Sequence, residues 1–445
     1  MNIKISDRFN YRKLLRFTLP SIVMMIFTSI YGVVDGFFVS RFAGKIPFAA
    51  VNFIMPYLMI LGTFGFMFGT GGCALVAKTL GEGNHKKANS IFSLIVYTSI
   101  ITGIVISILG LVLLRPVGIL LGAEGEMLEM CVRYGRIVLI ALPFFMLQME
   151  FQSFFVTAEK PNLGLITTLA SGFTNIILDA VLVGLFPSDI KLEGAAVATA
   201  VSQAVGGLLP IIYFSRENSS LLRLTRAEID LGALLKTCTN GSSELMSNIS
   251  MSFVGMLYNV QLLKYAGENG IAAYGVLMYV NMIFIAIFIG YSVGSAPIVG
   301  YHFGAGNADE LKSVLKKSSV IIAVSSVFML ILAELLAHPL SLIFVGYDPA
   351  LMELTKSGFV IYSFSFLFAG FAIYGSSFFT ALNDGLTSAI ISFMRTLVFQ
   401  IAAVMLLPLL FDIDGIWISI VVAEVMAAVL VFLFLFIKRK KYGYL

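Results

Sequence analysis

Apolar runs long enough to cross a bilayer recur along the whole chain, separated by short polar breaks that hold most of its charge. The runs exceed the roughly 18 residues that mark a spanning helix. They predict twelve spans, near 15–39, 48–77, 90–113, 132–156, 163–186, 194–214, 237–263, 271–300, 318–337, 356–381, 386–409 and 415–437. Six spans fall in each half of the 445 residues.

The two halves repeat each other. Gly69 to Asn84 reads GTGGCALVAKTLGEGN and Gly290 to Asn307 reads GYSVGSAPIVGYHFGAGN, so the closing G-x-G-N (Gly81, Gly83, Asn84; Gly304, Gly306, Asn307) returns 223 positions later. The same offset takes Gly44 to Gly267, Pro116 to Pro339 and Thr157-Ala158 to Thr380-Ala381, before small indels bring Gly194 onto Gly415. A period of half the chain is a duplicated bundle rather than a solenoid, and in a membrane it predicts a two-lobed transporter with a site between the lobes. The expected organisation is an N-terminal six-helix lobe at 1–214, a polar linker at 215–236 (SRENSSLLRLTRAEIDLGALLK) and a C-terminal six-helix lobe at 237–445. An even number of spans per half gives both halves the same orientation, so the fold class is an all-α integral membrane protein with a pseudo-two-fold axis along the membrane normal.

Composition agrees with this solvent: 59% of residues are hydrophobic and 12% charged, against about 25% charged in soluble domains. With the N-terminus inside, 20 Lys and Arg fall on the inner face and eight on the outer, counting Arg133 and Arg136, and the remaining one, Arg395, lies deep inside a span. That asymmetry predicts a multi-pass protein of the cell membrane with both termini cytoplasmic and the linker on the same side. It also accounts for the net charge of +4, which leaves a nucleic-acid partner unsupported. Cys73, Cys131 and Cys238 are odd in number and scattered, so they suggest neither a disulfide framework nor a metal cluster. The basic N-terminus leads into a run too long for a cleaved signal peptide and reads as a retained first helix.

Polar residues inside the spans carry the chemistry. The acids are Asp35, Glu150, Asp179, Glu244, Glu334 and Glu424, each costing a few kcal/mol if unpaired near the bilayer centre. Asp35, Asp179 and Thr199 lie about four, seven and five residues from the outer ends of spans 1, 5 and 6, which at about 1.5 Å per residue places them within roughly 5 Å in depth. Asn175 precedes Asp179 by four residues and shares its helix face. Two carboxylates, an amide oxygen and a hydroxyl at one level suit a small hard cation such as Na+ or a proton relay. Under the repeat, Asp35 matches Tyr258 and Asp179 falls in an apolar region around Ala402, so the ion site is expected in the first lobe alone. Glu244, Gln148, Gln152 and Glu150 are expected to line a substrate cleft, Glu244 as a negative contact for organic cations. Glu424 and Arg395 are expected to pair.

The runs YGVVDGFFVSRFAG (Tyr31 to Gly44), NIILDAVLVG (Asn175 to Gly184) and EGAAVATAVSQ (Glu193 to Gln203) resemble spans 1, 5 and 6 of the multidrug and toxic compound extrusion (MATE) family, and the linker and G-x-G-N turns resemble its MepA-like and DinF-like bacterial branch. The resemblance covers the whole chain. It implies a cation site at Asp35, Asn175, Asp179 and Thr199, and an alternating-access antiporter that exports amphipathic, cationic drugs in exchange for Na+ or H+. No cofactor beyond the coupling ion is expected, and the chain is expected to work as a monomer. Competing readings are a lipid-linked saccharide flippase of the same superfamily, for which Arg395 alone is too little deep positive charge, and an intramembrane transferase, for which no catalytic dyad is found. His85, His302 and His338 lie singly, and neither H-E-x-x-H nor a P-loop occurs, so the chain reads as a secondary transporter and not an enzyme.

Overall fold

A computed structural model describes residues 3–43, 45–185, 187 and 190–444; Gly44, which the repeat sets against Gly267, lies outside them. The described residues form twelve helices and no strand: α1 (Tyr11–Ala43), α2 (Lys45–Gly81), α3 (His85–Leu120), α4 (Gly125–Thr157), α5 (Pro161–Val183), α6 (Lys191–Ser215), α7 (231–266), α8 (268–304), α9 (Ala308–Val345), α10 (Pro349–Ser363 and Phe366–Ala381, bent by 50°), α11 (Gly385–Leu406) and α12 (Pro408–Tyr442). α7 and α8 run as one 74-residue helix interrupted at Gly267. At about 1.5 Å per residue that helix would be roughly 110 Å long, over three times the bilayer core of about 30 Å, so it is two spans. Gly267 breaks it at φ 62 and ψ −151, a conformation essentially confined to glycine.

The G-x-G-N signature has a local cause. Gly83 (φ 81) and Gly306 (φ 65) are left-handed and close Schellman caps: Asn84 N donates to Thr79 O at 3.2 Å and Asn307 N to His302 O at 3.0 Å. The same asparagines then start the next helix, accepting from Lys87 N and Glu310 N. The motif is a tight helix–helix corner, made twice.

The glycines before those corners set how the halves meet. A Cβ on Gly81 would strike Tyr301 O, and one on Gly304 would strike Lys78 O; Lys78 and Tyr301 are themselves repeat mates. α2 and α8 therefore cross backbone against backbone about the pseudo-two-fold. A second symmetric pair follows: Gly71 of α2 packs on Gly241 of α7, and its mate Gly294 of α8 packs on Thr18 of α1, whose own mate is Gly241. Small residues at such crossings are how helices associate tightly in lipid.

These contacts lie toward the end that carries both termini. There Ile5 N donates to Glu159 Oε1 at 2.8 Å and Phe9 N to Glu310 Oε1 at 2.7 Å. The connection between α6 and α7 is non-helical over residues 216–230, and side chains of α3 satisfy its backbone: Arg223 N donates to Asn89 Oδ1, Thr225 N to Ser93 Oγ and Glu228 N to Ser90 Oγ. The helical start at Leu231, capped by Asp230, takes in the last six residues of the stretch expected to be linker.

At the same end Asp384 caps α11 and accepts from Lys438 Nζ at 2.6 Å and Tyr442 Oη at 2.8 Å. Burial pushes its carboxyl up, but the hydrogen bonds from Lys438, Tyr442 and Thr387 outweigh it and hold the group below the usual carboxylate range. A depressed folded value stabilises above the unfolded pKa of about 3.9 and is lost as pH falls through the folded one. Asp384→Asn is expected to lower stability by about 1.5–3 kcal/mol at neutral pH, seen as a lower melting temperature, with the difference from wild type shrinking only below about pH 4.

Candidate functional site

α1, α5 and α6 pack against one another in the first half of the chain and bring the predicted residues together. Gly172 permits the approach of α5 to α1, since a Cβ there would strike Phe27 and come within 3.1 Å of the Tyr31 ring. Asp35 stands eight residues before the end of α1 at Ala43, Thr199 eight residues after the start of α6 at Lys191, and Asp179 opens the π-helical turn Asp179–Val183 that ends α5. π-bulges of this kind shift a side chain out of the regular helical register and are frequent at functional sites.

The side chains of Asp35 and Asp179 face each other, with Asn175 against Asp35. Asp179 and Asn175 are 0% and 2% exposed. Asp35 Oδ1, Asn175 Oδ1, both carboxylate oxygens of Asp179 and Thr199 Oγ are buried without a hydrogen-bond partner. These five orphaned oxygens, three of them from the two carboxylates, form a hard nest that no ion pair among the described residues neutralises. Buried polar atoms are seldom left so unless something else satisfies them.

Two tyrosines that the sequence reading passed over complete the wall. Tyr134 of α4 is buried, with its hydroxyl against Thr199 and its ring near both carboxylates. Tyr31, one helical turn before Asp35, reaches Gln148; its i−4 spacing from Asp35 was a usable signal, whereas nothing in the sequence singled out Tyr134. From Gln148 a line of bonds continues, Gln148 Nε2 to Ser171 Oγ at 3.2 Å, Ser171 Oγ to Ser202 O at 2.7 Å and Ser202 Oγ to Thr199 O at 2.8 Å, tying α4, α5 and α6.

The expected cleft residues are placed differently. Gln148 and Gln152 line a cavity of about 10 Å³ between α4, α5 and α6, room for one water at most. Glu150 is wholly buried on the opposite face of α4. All three lie inside the first six helices, because spacings of two and four on α4 point either to α5 and α6 or to α2 and α3, not across to the second half. Glu244 lies on α7, half-buried and in the field of Arg395. Arg395 and Glu424 pair as predicted, with Arg395 Nε donating to both carboxylate oxygens at 2.9 and 3.1 Å and Nη2 to Oε1 at 2.9 Å. In the second half Tyr258, the repeat mate of Asp35, donates to Gln400 Oε1 at 2.7 Å, so a neutral pair stands near where the first half has two acids.

The MatE family model matches residues 20–181 and again 245–406. The chain belongs to this family of multidrug efflux transporters, and its two matches coincide with the duplication. It is 26% identical over 432 residues to the multidrug export protein MepA of Staphylococcus haemolyticus, and 25% identical over 432 residues to MepA of Staphylococcus aureus, in each case covering 97% of this chain and 94% of the relative. Among solved structures it superposes at TM-score 0.92 on an outward-facing multidrug resistance MATE transporter of the MOP superfamily and at 0.91 on a MATE protein in complex with MaL6, both 21% identical with 98% of each chain covered. Fold and family make the protein a multi-span membrane transporter of small molecules, not an enzyme.

Gly172→Leu is expected to force α1 and α5 apart at the site and to destabilise by about 1–3 kcal/mol, the range for overpacking. Gly184→Leu, with no neighbour within 4 Å, should leave the melting temperature of the purified protein unchanged.

Proposed function

We propose that this MatE-family protein is an antiporter that exports amphipathic, cationic organic compounds in exchange for Na+ or H+, bound at Asp35, Asn175, Asp179 and Thr199. The observation that carries the proposal is the set of five buried, partnerless oxygens around two carboxylates. A pair of acids in hydrocarbon is tolerated when a cation compensates it. Na+ would take oxygen donors from the carboxylates, the amide and the hydroxyl; a proton would be shared between Asp35 and Asp179, with Asn175 and Tyr134 ordering the pair.

Transport follows from two lobes, 1–214 and 237–445, rocking about the pseudo-two-fold while 215–236 links them. Both termini are cytoplasmic in this reading, which puts the α2–α8 crossing at the inner end and the ion site toward the outside. With the inner end sealed, an external cation reaches the site, and its preference for that arrangement favours release of the exported compound outward. The multidrug export that names the MepA relatives supplies the substrate class, and Glu244, beside the neutralised Arg395–Glu424 pair, offers a negative contact for an organic cation. Each chain carries a whole site and needs no second copy and no cofactor beyond the coupling ion.

Everted vesicles, whose cytoplasmic face points outward, should accumulate a fluorescent organic cation in their lumen when given a Na+ or H+ gradient directed out of the lumen. Asp35→Asn and Asp179→Asn should each reduce gradient-driven export about 10-fold or more at equal expression, the scale of coupling free energies of about 1–3 kcal/mol. Unchanged export in both variants would remove the coupling role. Repeating the assay without sodium at a fixed pH gradient identifies the ion.

A further inference from the structure

One intramembrane acid is left without company. Asp35 and Asp179 face each other, Glu424 holds Arg395, Glu244 lies in the field of Arg395, and Glu334 accepts from Ser363 Oγ at 2.5 Å. Glu150 is 0% exposed, and neither of its carboxylate oxygens has a hydrogen-bond partner. No ion pair among the described residues includes it.

It stands where α2, α3 and α4 meet. Its backbone lies against Gly69 of α2, where a Cβ would come within 2.9 Å of Glu150 Cα. The Ser99 hydroxyl of α3, itself without a partner, faces the carboxylate. The titratable groups around it do not offer a compensating charge. On α2, Cys73 Sγ is 2.9 Å from Thr157 Oγ1; on α3, Tyr97 is exposed and donates to Thr225 O. Arg133 and Arg136 of α4, Asp179 of α5 and Glu193 of α6 belong to the far end, Tyr213 of α6 packs on Phe155 and Phe214, and across α2 the start of α7 carries Lys236, Cys238 and Glu244. As a carboxylate it would be an unpaired charge in a low-dielectric interior; as a carboxylic acid it is neutral and can donate its O–H to Ser99 Oγ.

The same stretch of α2 is clamped from the other side. Gly71 lies against Gly241 N and Thr237 O of α7, and Gly241 against the Met67 backbone, so residues 67–71 separate Glu150 from the joint between the halves. We infer that Glu150 is a proton-binding site distinct from the Asp35–Asp179 pair, a carboxylic acid while α2 is clamped between α4 and α7, which trades its proton with water only when that clamp opens. The second half of this statement rests on the rocking-lobe reading above; the first does not.

Infrared spectra of the purified protein at neutral pH, wild type minus Glu150→Gln, should show a protonated-carboxyl C=O band that is retained in Asp35→Asn. A difference confined to ionised-carboxylate bands would overturn the proposal. If Glu150→Gln fails to fold, isotopic labelling of glutamate in the wild type must shift the band, and a band that does not shift overturns it equally. In everted vesicles Glu150→Gln, which cannot exchange a proton, should bind the organic cation as wild type does yet carry it into the lumen about 10-fold more slowly, within the roughly 5- to 150-fold range of coupling between sites. Wild-type export by that variant would overturn proton exchange. A wild type that exports nothing under any gradient would refute the antiport reading instead, while the infrared result would still decide the protonation of Glu150.

Discussion

The halves of this molecule are held together by backbone contact at the α2–α8 crossing, where Gly81 lies on Tyr301 O and Gly304 on Lys78 O. In lipid there is no hydrophobic gain in bringing two apolar helices together, so association depends on how closely they pack and on what polar groups they pair. A crossing made of carbonyls and glycines meets the first condition without committing any side chain. Lys78 Nζ lies over the Phe303 ring beside it, and a contact made chiefly of backbone suits a joint between lobes that rock as proposed. Asn383 supplies the polar pairing nearby, donating to Ala74 O of α2 at 3.0 Å and accepting from Asn240 of α7 at 2.7 Å. α2 is thus the element on which both halves converge, and Glu150 on one side and Gly241 on the other report its position.

Much of this was legible in the chain because lipid removes choices. Backbone groups in hydrocarbon must bond within their own helix, so run length alone located the spans, and the repeated G-x-G-N had one structural meaning, a Schellman cap followed by an asparagine N-cap. Depth could be read as well, since 1.5 Å per residue converts position into height, and this was enough to bring Asp35, Asn175, Asp179 and Thr199 to one level. Azimuth could not be read in the same way. Gln148, Gln152 and Glu150 sit at the right height for a cleft, but whether a face of α4 meets its own bundle or the other half depends on helix packing, which hydropathy does not encode when both surroundings are apolar. Tyr134 was missed for that reason: among 17 tyrosines only packing distinguishes the one that closes the site. The break at Gly267 was marked by the repeat, which sets that glycine against Gly44, while the π-helical turn at Asp179 left no mark in the pattern.

Duplication explains why the two halves carry different charges at equivalent places. A copied bundle begins with two equal polar centres, and an intramembrane acid is costly wherever it lacks a counter-charge. In the second half the demand is met within the protein: Tyr258 and Gln400 are neutral and bonded to each other, and Arg395, which lies in the π-helical turn Met394–Val398 of α11 as Asp179 lies in that of α5, is held by Glu424. In the first half it is not met, and the carboxylates and their neighbouring oxygens stay orphaned. At these centres the second half is therefore electrostatically closed, whereas the first is, in the proposed reading, open to an external cation. A coupling ion can discriminate between two arrangements of the lobes only if it binds one of them better, and an asymmetric pair of lobes provides that difference directly, because binding changes the charge of a single lobe while its partner stays compensated. A second half rebuilt with carboxylates at Tyr258 and Gln400 would take up cations at both centres, and the ion would lose the asymmetry through which it can favour one arrangement.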